Sequence, residues 1–283
     1  DVIKVWEGLG YYSRARHLHA AANYLVEHFN GELPNQEEEL KKIKGLGPYT
    51  IGAILSFAFH QKKGAVDGNV IRVLTRYFGI KDDISKPTTV KQLRLLIETL
   101  LPDHEPWIIN EALIELGATV CQRKSRCHIC PIKSSCVSFK DAEVENIPFN
   151  SKKIKIEQLY RSVAVIQCDS HLLVKRGQKG AIMSDLYEFP YFEETKERFS
   201  STNLRSKVAK YFALNVVEQE VLKEVKQGFT RYQAHLYPIL FSCQQLQEIE
   251  GYVWLSYQKL KQLAFSSGHR RIFQQIGDLL QLT

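Results

Sequence analysis

Apolar residues recur at helical spacing through the first half of the chain. Between Arg14 and Phe29 they fall at Leu18, Ala21, Ala22, Leu25 and Val26, one stripe of an amphipathic helix. Asn30-Gly31 ends it, and Asn35 is the expected N-cap of a short helix, Glu37 to Lys44. Tyr49 to His60 is apolar nearly all round, which predicts a buried helix. Asp67 to Phe78 (stopped by Gly79), Thr88 to Leu101 and Pro106 to Val120 complete the set. Nothing here alternates with period two for long, so residues 13–120 are predicted to be all-α.

The period changes later in the chain. Leu159 to Cys168 and His171 to Arg176 read as strands joined by an Asp169-Ser170 turn, with further strands at Val216 to Val225 and Thr230 to Cys243. Leu204 to Phe212 and Arg270 to Leu280 read as helices, so this half is α+β. Residues 137–157, acidic and then polar and turn-rich, read as a connector. At 283 residues the chain has room for two domains, and 44% hydrophobic content excludes a disordered protein. The net charge of +7 fits a polyanionic partner, and equally a basic enzyme with no nucleic acid. No run is long and apolar enough to span a membrane and no signal peptide opens the chain, so an intracellular protein is expected.

Four of the six cysteines crowd together as Cys121-x5-Cys127-x2-Cys130-x5-Cys136. Four thiolates at this spacing can wrap a zinc ion or a [4Fe–4S] cluster, although structural zinc more often takes two Cys-x-x-Cys knuckles. The loop carries Arg123, Lys124, Arg126, Lys133 and Lys140, which either contact phosphate or solvate the loop. Cys168 and Cys243 read as small buried hydrophobes. Gly45-Leu46-Gly47 before a helix start frees backbone amides for an anion, or is simply a turn. Asp67 in Val66-Asp67-Gly68-Asn69-Val70 is either a helix N-cap or a working carboxylate, and Asn69 either orients it or caps the same helix.

Hairpin, aspartate and cysteine loop in this order resemble the helix-hairpin-helix DNA glycosylases, and the cysteine loop resembles that of the endonuclease III and adenine glycosylase families, with five residues instead of six between the first two cysteines. The resemblance implies a [4Fe–4S] cofactor on Cys121, Cys127, Cys130 and Cys136, and Asp67 as the carboxylate that stabilises positive charge on the sugar during N-glycosidic cleavage. Tyr49 stands where strand-nicking members carry a Schiff-base lysine, which implies a monofunctional enzyme, and Lys44 before the hairpin is expected on phosphate. Glu7 to Arg16 is similar to the adenine glycosylase version of the region, with Tyr11 as an aromatic wedge in the duplex or else a core residue. Glu111 resembles the carboxylate that meets the flipped adenine, or is a solvated helix-face glutamate.

Leu186-Tyr187-Glu188-Phe189-Pro190 resembles a motif of the MutT-like domain that recognises 8-oxoguanine opposite adenine. No Arg-Glu-x-x-Glu-Glu run follows Pro190, so no pyrophosphatase activity is expected. Phe229 and Thr230 fit the family's lesion-reading loop, where Arg231 replaces a histidine, and Ser266 to Arg271 is also family-like and a candidate for touching DNA.

The expected organisation is an N-terminally truncated helix-hairpin-helix glycosylase domain with iron–sulfur loop (1–136), a linker (137–157) and an α+β Nudix-like lesion-recognition domain (158–283). The implied function is base-excision repair by a monomer, cytoplasmic and nucleoid-associated, that removes adenine opposite 8-oxoguanine or guanine in double-stranded DNA. Val2 to Trp6 reads as the tail of a helix already under way, and the chain opens on Asp1, so an upstream part is expected. The family's general-acid glutamate lies upstream of this point, which leaves a lesion-binding protein without catalysis as the alternative.

Overall fold

The structure, a computed structural model, describes residues 2–152, 155–178, 183–195 and 200–279. The chain divides into two compact units, a helical one of His17–Lys153 and a sheet unit of Asp1–Arg16 with Ile154–Thr283. In chain order the first helices are α1 (Val2–Val5), α2 (Ser13–Phe29), α3 (Glu37–Leu40), α4 (Pro48–Ala53), α5 (Gly68–Phe78), α6 (Pro87–Leu100), α7 (Pro106–Thr119) and α8 (Val137–Lys140).

Within the helical unit, Val70 and Leu74 of α5 bury against Leu93 and Ile97 of α6, with Ile109, Leu113 and Ile114 of α7 packed on them. Each such fully buried side chain contributes about 1.5–3 kcal/mol. A second cluster, Leu40, Ile43, Ile51 and Leu55, lies under the glycine hairpin. The helix expected over 49–60 is instead α4 followed by a π-helical turn, Ile54–Ala58, and is buried on one face only. That face presses on the chain so closely that a Cβ at Gly52 would strike the backbone of Gly64, and the opposite face leaves Tyr49 40% exposed. Asn35 is not the cap of α3: Gln36 holds that position without a side-chain bond, and the Asn35 carbonyl accepts from Gln61. In the stretch read as a connector, Ile147 is buried, and Asp83 accepts from the Ser151 amide and hydroxyl.

The sheet unit contains β1 (Glu157–Cys168), β2 (His171–Arg176), β3 (Tyr187–Glu188), β4 (Tyr191–Glu194), β5 (Val217–Val221), β6 (Val225–Phe229), β7 (Tyr232–Ser242) and β8 (Val253–Ser256). Helices α9 (Ser201–Phe212), α10 (Tyr257–Lys261) and α11 (Ser267–Leu279) complete it, so the expected α+β class is observed. The sheet order is β3-β2-β1-β7-β5, with β4 on β1, β6 on β7 and β8 on β2. β1 and β7 pair in parallel from Glu157↔Tyr232 to Gln167↔Ser242. Val163 and Val165 face Ile272, Phe273 and Ile276 of α11, whereas Ala164 and Ile166 face Leu204 and Val208 of α9. A strand covered on both faces reads as a continuous apolar run, as Val163-Ala164-Val165-Ile166 does.

Two strand assignments change. The run 216–225 divides into β5 and the start of β6: the Leu222 amide still donates to the Pro238 carbonyl at 3.0 Å, and the pairing lapses at Lys223 and Glu224. The run 230–243 begins only at Tyr232, since Thr230 and Arg231 form the β6–β7 turn with Thr230 in the left-handed region at φ 50. α11 starts before Arg270, at Ser267, and Leu280 lies outside the described residues.

Candidate active site and cysteine loop

In the helical unit Gly45 turns the hairpin at φ 98, a left-handed conformation that suits glycine, and a Cβ there would collide with the His17 side chain. Gly47 then occupies the N-cap of α4, with Pro48 at its first position and no side chain bonded to the helix end. The amides at this turn therefore have no side-chain competitor. Lys44 is exposed beside it.

Asp67 is the N-cap of α5. One carboxylate oxygen accepts the Asn69 and Val70 amides, each at 2.8 Å, and the other accepts the Asn69 side-chain amide at 2.9 Å. Asn69 in turn accepts from Arg72 at 2.7 Å, so it orients the aspartate as well as standing in the first turn. Arg72 also donates to the carbonyls of Gly117 (2.7 Å) and Cys121 (2.6 Å). Helix α7 can approach this closely because Gly117 is bare; a Cβ there would lie 2.6 Å from the Asn69 Cβ. A hydrogen-bonded chain therefore runs from Asp67 through Asn69 and Arg72 to the first residue of the cysteine loop.

One turn further along α5, Arg76 is buried and holds the loop itself. Its guanidinium donates to the carbonyls of Ile147 (2.8 Å), Gln122 (2.7 Å) and Arg123 (3.3 Å) and to the Cys121 sulfur (3.4 Å). The Cys136 thiol donates to the Arg76 carbonyl at 3.4 Å. Neither arginine stands out in the sequence; the available signal is two cations four residues apart on an otherwise well-packed helix that follows Asp67.

Cys121, Cys127, Cys130 and Cys136 are unpaired thiols that line one cavity with Val73, Arg76 and other residues. Burial pushes the Cys130 thiol up, and the negative charge of the other three cysteines raises it further. Among the described residues no three metal-ligating side chains come together as a single-ion site.

Glu111 lies exposed on α7, and no hydrogen bond joins it or Tyr49 to Asp67. The neighbour Asn110 is the buried one, bonded to the Ala65 amide, Ser56 and the Lys63 carbonyl. In the sheet unit Tyr11 is not a core residue: it is 74% exposed, while Tyr12 beside it is buried against Leu186 and Ala264. Phe229 ends β6 half-buried, Thr230 is exposed at the turn, and Arg231 donates to the Tyr232 hydroxyl at 3.0 Å. Arg270 is not a free DNA contact, because its guanidinium is bound to Glu7. Arg271 remains exposed. Glu188 is buried with its carboxyl pushed up by burial.

Residues 1–99 match the family described as HhH-GPD superfamily base excision DNA repair protein, and residues 162–275 match the NUDIX domain. An adenine DNA glycosylase of Buchnera aphidicola subsp. Baizongia pistaciae (strain Bp) is 36% identical over 68% of this chain and 55% of its own length. Another, of Buchnera aphidicola subsp. Acyrthosiphon pisum (strain APS), is 28% identical over 88% of this chain and 69% of its own. A thermostable thymine-DNA glycosylase structure aligns with a TM-score of 0.45 at 28% identity, over 50% of this chain and 65% of that one. The chain thus spans about half to two thirds of these proteins. No helix among the described residues is long and apolar enough to cross a membrane.

Proposed function

From a chain that joins a helix-hairpin-helix base excision repair domain to a NUDIX domain, and is a MutY-type relative of the adenine DNA glycosylases, we propose a monofunctional glycosylase. It hydrolyses the N-glycosidic bond of adenine paired with 8-oxoguanine or guanine in double-stranded DNA inside the cell. The observation that carries this reading is the fixed aim of the Asp67 carboxylate through Asn69 and Arg72. Its role is to stabilise the positive charge that develops on deoxyribose as the base departs, and to assist the incoming water. The proton for the departing adenine is assigned to no residue here.

The domains are taken as 1–136, a linker 137–157, and 158–283. The amides at Gly45 and Gly47 receive a DNA phosphate. Glu111 meets the extruded adenine, Tyr11 is an aromatic wedge that stacks beside the lesion base in the distorted duplex, and Phe229 with Thr230 reads the lesion. Tyr49, with no amine to form a Schiff base, keeps the reaction to base removal. Cys121, Cys127, Cys130 and Cys136 would hold a [4Fe–4S] cluster, which supplies a rigid centre for the basic loop when bound. Arg76 supports this by fixing the loop backbone around the four thiols.

A single-turnover assay tests the reading. The chain is mixed with a duplex bearing adenine opposite 8-oxoguanine, and strand breaks are counted with and without alkali. Breaks at the adenine that require alkali are expected. Tight binding with no alkali-labile sites would replace the enzyme by a lesion-binding protein, and breaks only at thymine opposite guanine would assign another base.

A further inference from the structure

We propose that the Glu7–Arg270 ion pair is a positioning device for Tyr11, through which the lesion-reading sheet unit sets the aromatic that enters the duplex; this rests on the reading of Tyr11 given above. Glu7 accepts Arg270 twice, at 2.6 and 3.0 Å, Lys4 at 2.6 Å and the Phe265 amide at 2.9 Å. The Arg270 guanidinium lies over the rings of Phe265 (4.8 Å) and Phe273 (5.3 Å), and both charged side chains are about 15% exposed. Two-point recognition of this kind fixes direction as well as distance. It ties the start of the chain to the last helix of the unit.

Four residues beyond Glu7, Tyr11 projects into solvent at φ 46. A non-glycine residue stays in that conformation only where its surroundings hold it, and such sites concentrate at functional positions. The holding groups are visible. Gly8 and Gly10 turn the chain at φ 91 and 66; the Trp6 indole donates to the Gly10 carbonyl at 3.1 Å, and the Gly8 amide to the Tyr12 hydroxyl at 3.3 Å. The Arg14 guanidinium lies 5.5 Å from the Trp6 ring and 5.6 Å from that of Tyr11. On the far side Tyr12 is buried, and Arg16 donates to the Ser184 carbonyl and to Asp185. The exposed ring therefore stands on a short loop pinned at both ends to the sheet unit.

A double-mutant cycle on the full chain tests this, using a duplex with adenine opposite 8-oxoguanine as the probe. Arg270→Met is expected to weaken binding roughly three- to tenfold. The same change made in Tyr11→Ala is expected to weaken it no further. Glu7→Gln, which removes no cation, should weaken binding in the same sense as Arg270→Met, which an arginine acting only by phosphate contact would not do. Hydrogen exchange at residues 6–14 without DNA should rise in Arg270→Met and in Glu7→Gln. Additive losses, an unaltered affinity in Arg270→Met, or unchanged exchange would each overturn the proposal. If Tyr11→Ala alone leaves binding intact, the reading of Tyr11 fails and the proposal with it, while the exchange data still report whether the anchor exists.

Discussion

Replacing Arg76 by methionine should release the cysteine loop from the helical unit. The two short bonds to the Gln122 and Ile147 carbonyls, at 2.7 and 2.8 Å, are charge-assisted and together contribute roughly 3–6 kcal/mol. The contacts at 3.3 and 3.4 Å add little. Against this stands the cost of desolvating a buried guanidinium, which methionine avoids. A net loss of about 3 kcal/mol follows, or roughly a hundredfold faster opening of the loop. Amide hydrogen exchange read on peptides covering 116–140 measures it directly, because the Cys121 amide is bonded to the Leu116 carbonyl at 2.7 Å and the Arg126 amide to that of Val120 at 3.0 Å. The melting temperature of the helical unit should fall by roughly 10 °C. Exchange at 116–140 that stays within twofold of the parent, with an unchanged melt, would refute the role given to Arg76.

Three further outcomes are expected. Chain purified without oxygen should carry about four iron and four sulfide, with little zinc, and serine at Cys130 should lower both; stoichiometric zinc instead would exclude the cluster. Alanine at Gly45 should cost about 1–2 kcal/mol in chemical denaturation, from its left-handed backbone and the crowding of His17, and an unchanged midpoint would contradict the hairpin geometry. Burial, then the charges of Arg161 and Lys175, depresses His269 from 6.5 to about 3. The unfolded chain therefore binds one more proton between these values, and stability falls as pH drops from about 6.5 toward 3, by at most about 1.4 kcal/mol per pH unit. His269→Gln should flatten that part of the profile, and an identical slope would refute it.

The local rules were legible wherever neighbours in sequence are neighbours in space. The helix at 14–29, the stop at Gly79 and the β1–β2 turn at Asp169-Ser170 are of this kind, although the expected stripe of that helix is corrected: Leu18 and Val26 are 58% and 68% exposed, and Ala15, Ala21, Tyr24 and Leu25 are the residues that pack. The π-helical turn at Ile54–Ala58 was not, because it answers to the backbone near Gly64 and not to its own periodicity. β3, β4 and β8 are too short to alternate visibly. The β6–β7 turn lacks an Asn-Gly signal, since Thr230 takes the left-handed position instead. In the candidate site the capping of α5 by Asp67 was legible from its place before Gly68-Asn69-Val70, whereas its role as a working carboxylate is implied only by the resemblance. Arg72 and Arg76 act on carbonyls some 45 or more residues away, and Glu7 meets Arg270 across 263 residues, separations over which no sequence pattern operates.

Asp67 plays two parts in this account, cap and carboxylate, and serine separates them. Serine caps a helix about as well as aspartate, so Asp67→Ser should fold with a melting temperature close to the parent's. It has no charge to offer a cationic sugar. The most direct measurement is the single-turnover rate of adenine release from a duplex with 8-oxoguanine opposite, for Asp67 and Asp67→Ser at saturating protein. A loss of at least about a hundredfold, with duplex affinity retained, is expected. A serine variant that releases adenine at the parent's rate would leave Asp67 a helix cap and nothing more.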